Sequence, residues 1–494
     1  MSVIPGQEGI SPLQRLLQLR RSWLTIDTNP DARAHVRTFR GLLLIHVLFL
    51  AALGLSLQIS LPALALIGLT LLAAARWPGH RLAILITSSL VFLLLRPFRT
   101  ADMSAMVGDL ASALGTGIPV PPLALQIAGV LLFLGFAQAM IAGQRMSSGL
   151  WSRRPVLVQL TGFLALLAVA AFLPPGNYGH AILWAFVAVW ASCFWFLAYA
   201  AVDLKAKAAA PDSVRALYMR PVWGGDVAPM GKGLSFLKRF EAKDEEALAV
   251  TRLKALKLAV WTAILSWTSL AVTTLFHEML GVPKLGFMIL NPEDAAAMPI
   301  GLRWLGLFVN YGVDLLIIAA WGHAIVAVAR MMGYNIPRNT VNPLASRSIA
   351  EFWNRYYYYF KEVLVDFFFY PAFMRWFKTS PRLRIAFATF CAAGFGNFLY
   401  HLIFVSHVFA DGTPLDELDR FETLAFYVCL LSAGLIMSQI WGRKTSPDDG
   451  FWRHQVWPRI NVALFFCFLK IFDSVWLEGQ LSDRFHFLFG LFGV

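Results

Sequence analysis

The chain is poor in charge. Only 14% of its 494 residues are Asp, Glu, Lys or Arg, against about 25% in a soluble globular protein. Cysteine is scarce too. The four present, Cys193, Cys391, Cys429 and Cys467, lie in apolar blocks with no CxxC spacing. That pattern argues against a disulfide framework or metal ligands and predicts small buried hydrophobes. No glycine-rich phosphate loop, HExxH or GxSxG occurs, so the chemistries those motifs serve have no local signature here. An early apolar block is missing as well. The first begins at Gly41 after a basic, polar stretch, so no cleaved leader is expected.

What the chain has instead is apolar length. Hydrophobic residues make up 58% of it, and mean hydropathy is +0.62. The excess falls in blocks near the ~20 residues that carry an α-helix across a bilayer. The blocks are continuous rather than alternating, which favours helices over a barrel. Spans are expected near 41–60, 61–76, 82–97, 120–142, 156–173, 180–202, 256–276, 303–329, 384–409, 421–441 and 459–477. The expected fold class is therefore all-α, a polytopic membrane protein with about 11 spanning helices.

Net charge is +13. In a chain this apolar, the excess reflects basic loops kept on the cytoplasmic side rather than a nucleic-acid partner. The N-terminal arm holds Arg15, Arg20, Arg21, Arg33, Arg37 and Arg40. Basic residues return after every second span: Arg76 and Arg81, then Arg145, Arg153 and Arg154, then the long 203–255 loop, then Arg330, Arg338 and Arg347, then Arg443 and Lys444. The intervening loops are poorer. Segment 174–179 has no basic residue, and 410–420 contains Asp411, Asp416, Glu417 and Asp419. The alternation predicts a multi-pass protein of the cell's inner (plasma) membrane with its N-terminus in the cytoplasm.

One segment breaks the pattern. Ser346 to Pro371, SRSIAEFWNRYYYYFKEVLVDFFFYP, is apolar but carries Arg355, Lys361, Glu362 and Asp366, with basic residues on both sides. Such a segment dips into the membrane and returns, or lies at its interface, and charged backbone at depth is tolerated only against protein or water. Ser348 and Glu351 fit a capping box, so a helix is expected from Ile349. Glu351 and Arg355 stand at i, i+4. A continuous helix would put Asn354, Tyr357, Tyr358 and Lys361 on one face, and Pro371 would end or kink it. An interfacial helix with a tyrosine belt is the plainer alternative.

Other polar residues lie inside spans. Asn397 and His401 stand at i, i+4 in GFGNFLYHLIFVSH, and Asp314 and His323 lie in 310–330. A lone histidine there can simply bond a neighbouring helix. A neutral imidazole in a cavity also suits general-base work near pH 7.

The run VARMMGYNIPRNTVNPLASRSIAEFWNRYYYYFKEVLVDFFFYP, 328–371, resembles the central signature of the membrane-bound O-acyltransferase family. It is most like the branch of bacterial alginate O-acetyltransferases and the D-alanyl transferase of teichoic acids. The resemblance rests on Arg330 to Gly333, Pro337 to Asn339, Ser348 to Trp353, and Asp366 to Pro371. NFLYHLIF is similar to the block that carries the family's catalytic histidine, which falls on His401. The resemblance covers about 310–410, with a weaker likeness at 219–233 to the family's glycine-proline loop.

The resemblance implies re-entrant helices beside the spanning ones, around a tunnel through the bilayer. It implies acyl transfer, acetyl above all, from acyl-CoA or another cytoplasmic acyl thioester to a hydroxyl of a glycan or other acceptor. No tightly bound cofactor and no metal are implied. An extracytoplasmic acyl-relay protein joins membrane lipids and the two substrates as an expected partner. His401 takes the base role. The family's second polar position, histidine or asparagine, falls on Tyr357, five residues after Phe352, where a phenol can donate to the oxyanion. Asn354, Asn397, Tyr358 and Arg355 are the expected substrate-binding residues. The chain divides accordingly into a basic arm (1–40), an N-terminal bundle (41–202), a basic loop (203–255) and an acyltransferase core (256–494). Two rivals stand beside this reading: a non-catalytic family member that binds or assembles, motivated by Tyr357, and a transporter or flippase.

Overall fold

The computed structural model describes residues 21–56, 59–95, 122–146, 148–174, 178–203, 219–224, 228–410, 420–442, 446–473 and 479–493. Arg15, Arg20, Arg443, Lys444 and the acidic residues of 411–419 lie outside the described residues. Among the described residues every regular element is helical, and extended pairing is limited to the isolated bridge between Glu241 and Tyr334.

Among the described residues eight helices are long and apolar enough to cross a membrane, and a bent pair is a candidate ninth. The bent pair comes first. α1 (Pro30–Arg37) and α2 (Phe39–Gly54) meet at 99°. Thr38 makes the corner in extended geometry, and its Oγ1 caps α2 by accepting from Gly41 N. α3 (Leu61–Arg76) has only 16 residues, about 24 Å of rise, short of the ~30 Å core. α4 (Arg81–Leu95), α5 (Pro122–Met146), α6 (Pro155–Phe172) and α7 (Tyr178–Asp203) follow. The chain then packs a short α8 (Leu234–Phe240) and the long α9 (Glu245–Thr273), which is capped by Asp244.

α10 (Ile300–Met331) lies against α9 along much of its length. The segment 346–371 forms α11 (Ile349–Tyr356), α12 (Tyr358–Leu364), a π-helical turn at Val365–Phe369 and a last turn at Tyr370–Phe373. α13 (Pro381–Thr389) runs through a second π turn, Phe390–Gly396, into α14 (Asn397–Phe404). α15 (Arg420–Ile440), α16 (Trp457–Leu469) and α17 (Leu481–Gly490) complete the chain. α16, expected as part of a span at 459–477, has 13 residues, too few to cross alone. The cysteines are all free; Cys193 and Cys467 are buried as expected, but Cys429 is exposed.

Two apolar cores divide the bundle. One draws on α5, α6, α7, the first part of α10, α11, α12 and α14 to α17. The other draws on α1 to α4, α8, α9 and the end of α10. The tyrosine run lies on the seam. Tyr356 packs on the first core, Tyr358 and Tyr359 on the second, and Tyr357 on both.

Candidate functional site

The seam is built by a break in helix geometry. Tyr357 sits at φ −141°, ψ 77°, outside the helical region, so α11 and α12 are separate pieces. The expected single helix, with Asn354, Tyr357, Tyr358 and Lys361 on one face, is therefore not formed. The reason is the neighbouring loop, which supplies partners that an unbroken helix would not need. Val341 N donates to Arg355 O at 2.8 Å, and Tyr358 N donates to Asn339 O at 2.9 Å. Thr340 Oγ1 donates to Tyr356 O, and Tyr359 N donates to Asn339 Oδ1. Asn339 can come this close because α10 has glycine at 322. A Cβ there would stand 2.7 Å from Asn339 Nδ2.

The local caps follow the sequence closely. Ser348 Oγ accepts from Glu351 N at 3.1 Å, and Glu351 pairs with Arg355 at 2.7 Å. The Glu351 carboxylate, however, accepts from Arg347 N rather than from Ser348. Pro371 lies in the last short turn after the π turn.

His401 stands on α14, half-buried, with the rings of Phe360 and Tyr400 at centroid distances of 6.1 and 5.5 Å. Among the described residues no hydrogen bond or ion pair ties its imidazole. Asn397, one turn earlier on the same face, is 0% exposed, and neither of its amide atoms has a hydrogen-bond partner. Buried amides are normally bonded, so this one marks a place where a polar group is expected. Tyr357 reaches His401 through Phe360, its ring centroid 5.7 Å from that of Phe360.

Beyond His401 lies a charged group that sequence reasoning found only in part. Lys470, just past α16, bridges Asp314 at 2.9 Å and Asp473 at 3.3 Å. The charge of Asp473 acts on His401, Tyr356 and Tyr427. Tyr311, three residues before Asp314 on α10, has a buried hydroxyl with no partner. Asp314 stood out in the sequence. Lys470 and Asp473 carry the same signal, ionisable groups inside an apolar block.

A second charged group flanks the break on its other side. Lys232 Nζ bridges Glu362 at 2.6 Å and Asp366 at 2.8 Å, and Lys361 meets Glu362 at 2.5 Å. Tyr199 Oη on α7 donates to Asp366 Oδ2 at 2.7 Å. Burial alone would lower the Lys232 ammonium, but the Asp366 and Glu362 carboxylates outweigh it and raise it above its ordinary value. Burial alone would raise Glu362, but Lys232 and Lys361 hold it below the ordinary carboxylate value. Lys232 occupies left-handed backbone at φ 42°, between Gly231 at 130° and Gly233 at 87°. A non-glycine residue in that region costs of order 1 kcal/mol and persists where its surroundings over-determine it.

The remaining expected contacts are scattered. Asn354 is exposed. Arg355 is occupied by Glu351, and Tyr358 lies under the Lys361 ammonium at 5.0 Å. His323 on α10 has a buried, unpaired Nδ1. A groove of about 570 Å³ lies elsewhere, lined by Leu55, Ile264, Trp267 and Leu275 on the outer side of α9. Its apolar lining suits a lipid chain better than chemistry. Comparison with family models finds no match, and comparison with the curated proteins finds no significant one.

Proposed function

We propose that the chain is a membrane-bound O-acyltransferase that moves an acyl group, acetyl above all, from a cytoplasmic thioester to an acceptor hydroxyl. The observation that carries this reading is His401, an accessible, unbonded imidazole inside the bundle, beside the break and below an unpartnered amide. An imidazole held so is free to take a proton. One of its nitrogens removes the acceptor's hydroxyl proton as that oxygen attacks the thioester carbonyl. The carbon–sulfur bond then breaks, and the sulfur leaves with the proton returned by the imidazolium. Tyr357 or the Asn397 amide donates to the oxyanion.

The two charged groups give the site two sides. In this reading Lys232, Lys361, Glu362 and Asp366 face the cytoplasm, where the donor arrives. Asp314, Lys470 and Asp473 face the other end of a tunnel through an eleven-helix family arrangement, where the acceptor waits. Carboxylates beside tyrosines suit a polyhydroxyl acceptor such as a glycan, because each carboxylate oxygen accepts from hydroxyls.

The test is transfer of labelled acetyl from acetyl-CoA by the purified chain in proteoliposomes, with soluble oligosaccharides as acceptors. Labelled product, lost in His401→Ala, supports the reading. Acetyl-CoA bound without turnover in any acceptor mixture favours a non-catalytic member that binds or assembles, the reading that Tyr357 motivates. Acceptor movement across the bilayer without acylation favours transport.

A further inference from the structure

Among the described residues five arginines are more than nine-tenths buried: Arg220 at 7% exposure, Arg252 at 8%, Arg303 at 7%, Arg330 at 8% and Arg484 at 1%. Four of them donate to backbone carbonyls, though the Nε of Arg303 and of Arg484 has no partner. Arg220 donates to Gly224, Arg303 to Gly490, Arg330 to Ile336 through two nitrogens at 3.0 and 2.7 Å, and Arg484 to Ile471 at 2.7 Å. Arg252 differs. Among the described residues its guanidinium has no hydrogen bond and no ion pair, and its Nε is sealed from solvent.

What surrounds Arg252 deepens the anomaly. It lies one turn beyond Leu248 on the same face of α9. The Leu248 side chain and Arg81 Nη1 both close on Gly333, 3.0 and 3.1 Å from where a Cβ would stand. Arg81 and the turn of α9 that precedes Arg252 thus meet at Gly333, and the two guanidinium charges act on each other as like charges. Arg81 finds Glu241 only at 3.9 Å, that carboxylate is 41% exposed, and the Arg81 Nε is also unpartnered. From α2, His46 holds Leu42 O through Nδ1 at 2.7 Å and leaves a buried Nε2 without a partner, close enough for the Arg252 charge to act on it.

A buried, unpaired cation is costly, and a second cation beside it adds to the cost. An anion between them removes both penalties. The planar guanidinium fork matches tetrahedral oxyanions at two points. Arg252 is the eighth residue of α9, about 10 Å from the helix start, a depth at which a headgroup phosphate or a soluble phosphate ester can both arrive.

We propose that Arg252 and Arg81 form a phosphate-binding site at the junction of α2, α4 and α9, independent of the chemistry at His401.

The test uses the full chain in detergent, with thermal unfolding followed by tryptophan fluorescence. Inorganic phosphate, phosphatidylglycerol and phosphatidylcholine are added separately at constant chloride. Phosphate or phosphatidylglycerol raises Tm in the parent chain. Arg252→Met abolishes that rise and raises the anion-free Tm, because it removes an uncompensated buried charge. Arg81→Gln weakens half-saturation by about tenfold or more, and carries the test if Arg252→Met does not fold. A response to inorganic phosphate assigns a soluble ester. A response to phosphatidylglycerol alone, without one to phosphatidylcholine, assigns a lipid headgroup. No response to either anion, or a full response kept in both variants, overturns the site.

Discussion

The two halves of the chain both use apolar helices, somewhat less apolar in the second half, but interrupt them differently. From α2 to α7 the described helices run as uninterrupted α-helix. Beyond residue 273 four π-helical turns appear, at Thr274–Met279, Val365–Phe369, Phe390–Gly396 and Trp452–Val456. A π turn adds a residue to a helix and shifts every later side chain around its axis. One such turn sets the direction of Asn397 and His401, and another contains Asp366. Apolarity thus gives membrane-compatible helices in both halves, while the interruptions aim polar groups in the second half alone. The first half is mostly scaffold, with Tyr199 and Lys232 reaching the site from it; the second carries the candidate base.

The sharpest break of this comparison pairs one substitution from each half. His401→Ala is expected to lower acyl transfer by about 10²–10⁴-fold, the range for a lost general base. Phe163→Ala, at a fully buried scaffold position, is expected to cost about 3–5 kcal/mol of stability and to leave the rate per folded molecule unchanged. Transfer rates corrected for folded fraction decide. An equal loss in both variants would erase the distinction between scaffold and site.

Tyr357→Phe sharpens the comparison inside the second half. If Tyr357 donates to the oxyanion, its hydroxyl is worth about 10²–10³-fold in rate, and the variant keeps its ring contact with Phe360. Tyr356→Phe is the control. Tyr356 lies closer to the charges of Asp473 and Asp314. A loss confined to Tyr356→Phe moves the role by one residue and ends the register that the family resemblance implies. Steady-state kcat for both variants separates the two cases.

Much of the architecture was legible in sequence, and the unread part has a physical reason. Block length marked the helices because crossing a bilayer needs a fixed rise. Among the described residues eight of the expected spans reach crossing length, a bent pair is a candidate ninth, and 61–76 and 457–469 are apolar helices too short to cross alone. The Ser348 cap and the Glu351–Arg355 pair were legible because both are local. The break at Tyr357 was not, because its partner, Asn339, comes from a loop that packs there only by way of Gly322. Asn397 and His401 were legible as a pair by helical spacing. Lys232 was overlooked because its carboxylates lie 130 and 134 residues away in sequence.

That non-local clamp yields the next expectation. Lys232→Met leaves Glu362 with only Lys361 and leaves Asp366 with the Tyr199 hydroxyl. Breaking a largely buried pair from one side costs about 3 kcal/mol, so Tm is expected to fall. Lys232→Met with Glu362→Gln should recover part of the loss, because the stranded charge is gone. A double variant no more stable than Lys232→Met would mean that the strained GKG turn, rather than the charge, carries the effect.

The smallest expected effect is the pH response of the same clamp. Glu362 is held below its ordinary value of 4.5 by Lys232 and Lys361, against a burial effect of opposite sign. A carboxyl depressed in the folded state binds fewer protons there than in the unfolded state. Its contribution is therefore fully present above the ordinary value and is lost as pH falls through the folded one. The parent chain should lose stability below about pH 4.5 partly through this group. Glu362→Gln removes the titration but leaves Lys232 its bond to Asp366, so the variant should be less stable at neutral pH, with the gap closing as pH falls. Unfolding midpoints at a series of pH values, with ionic strength fixed, measure that gap. A gap that widens toward low pH would mean that burial, not the two lysines, dominates at Glu362. The clamp would then belong with the scaffold rather than with the site.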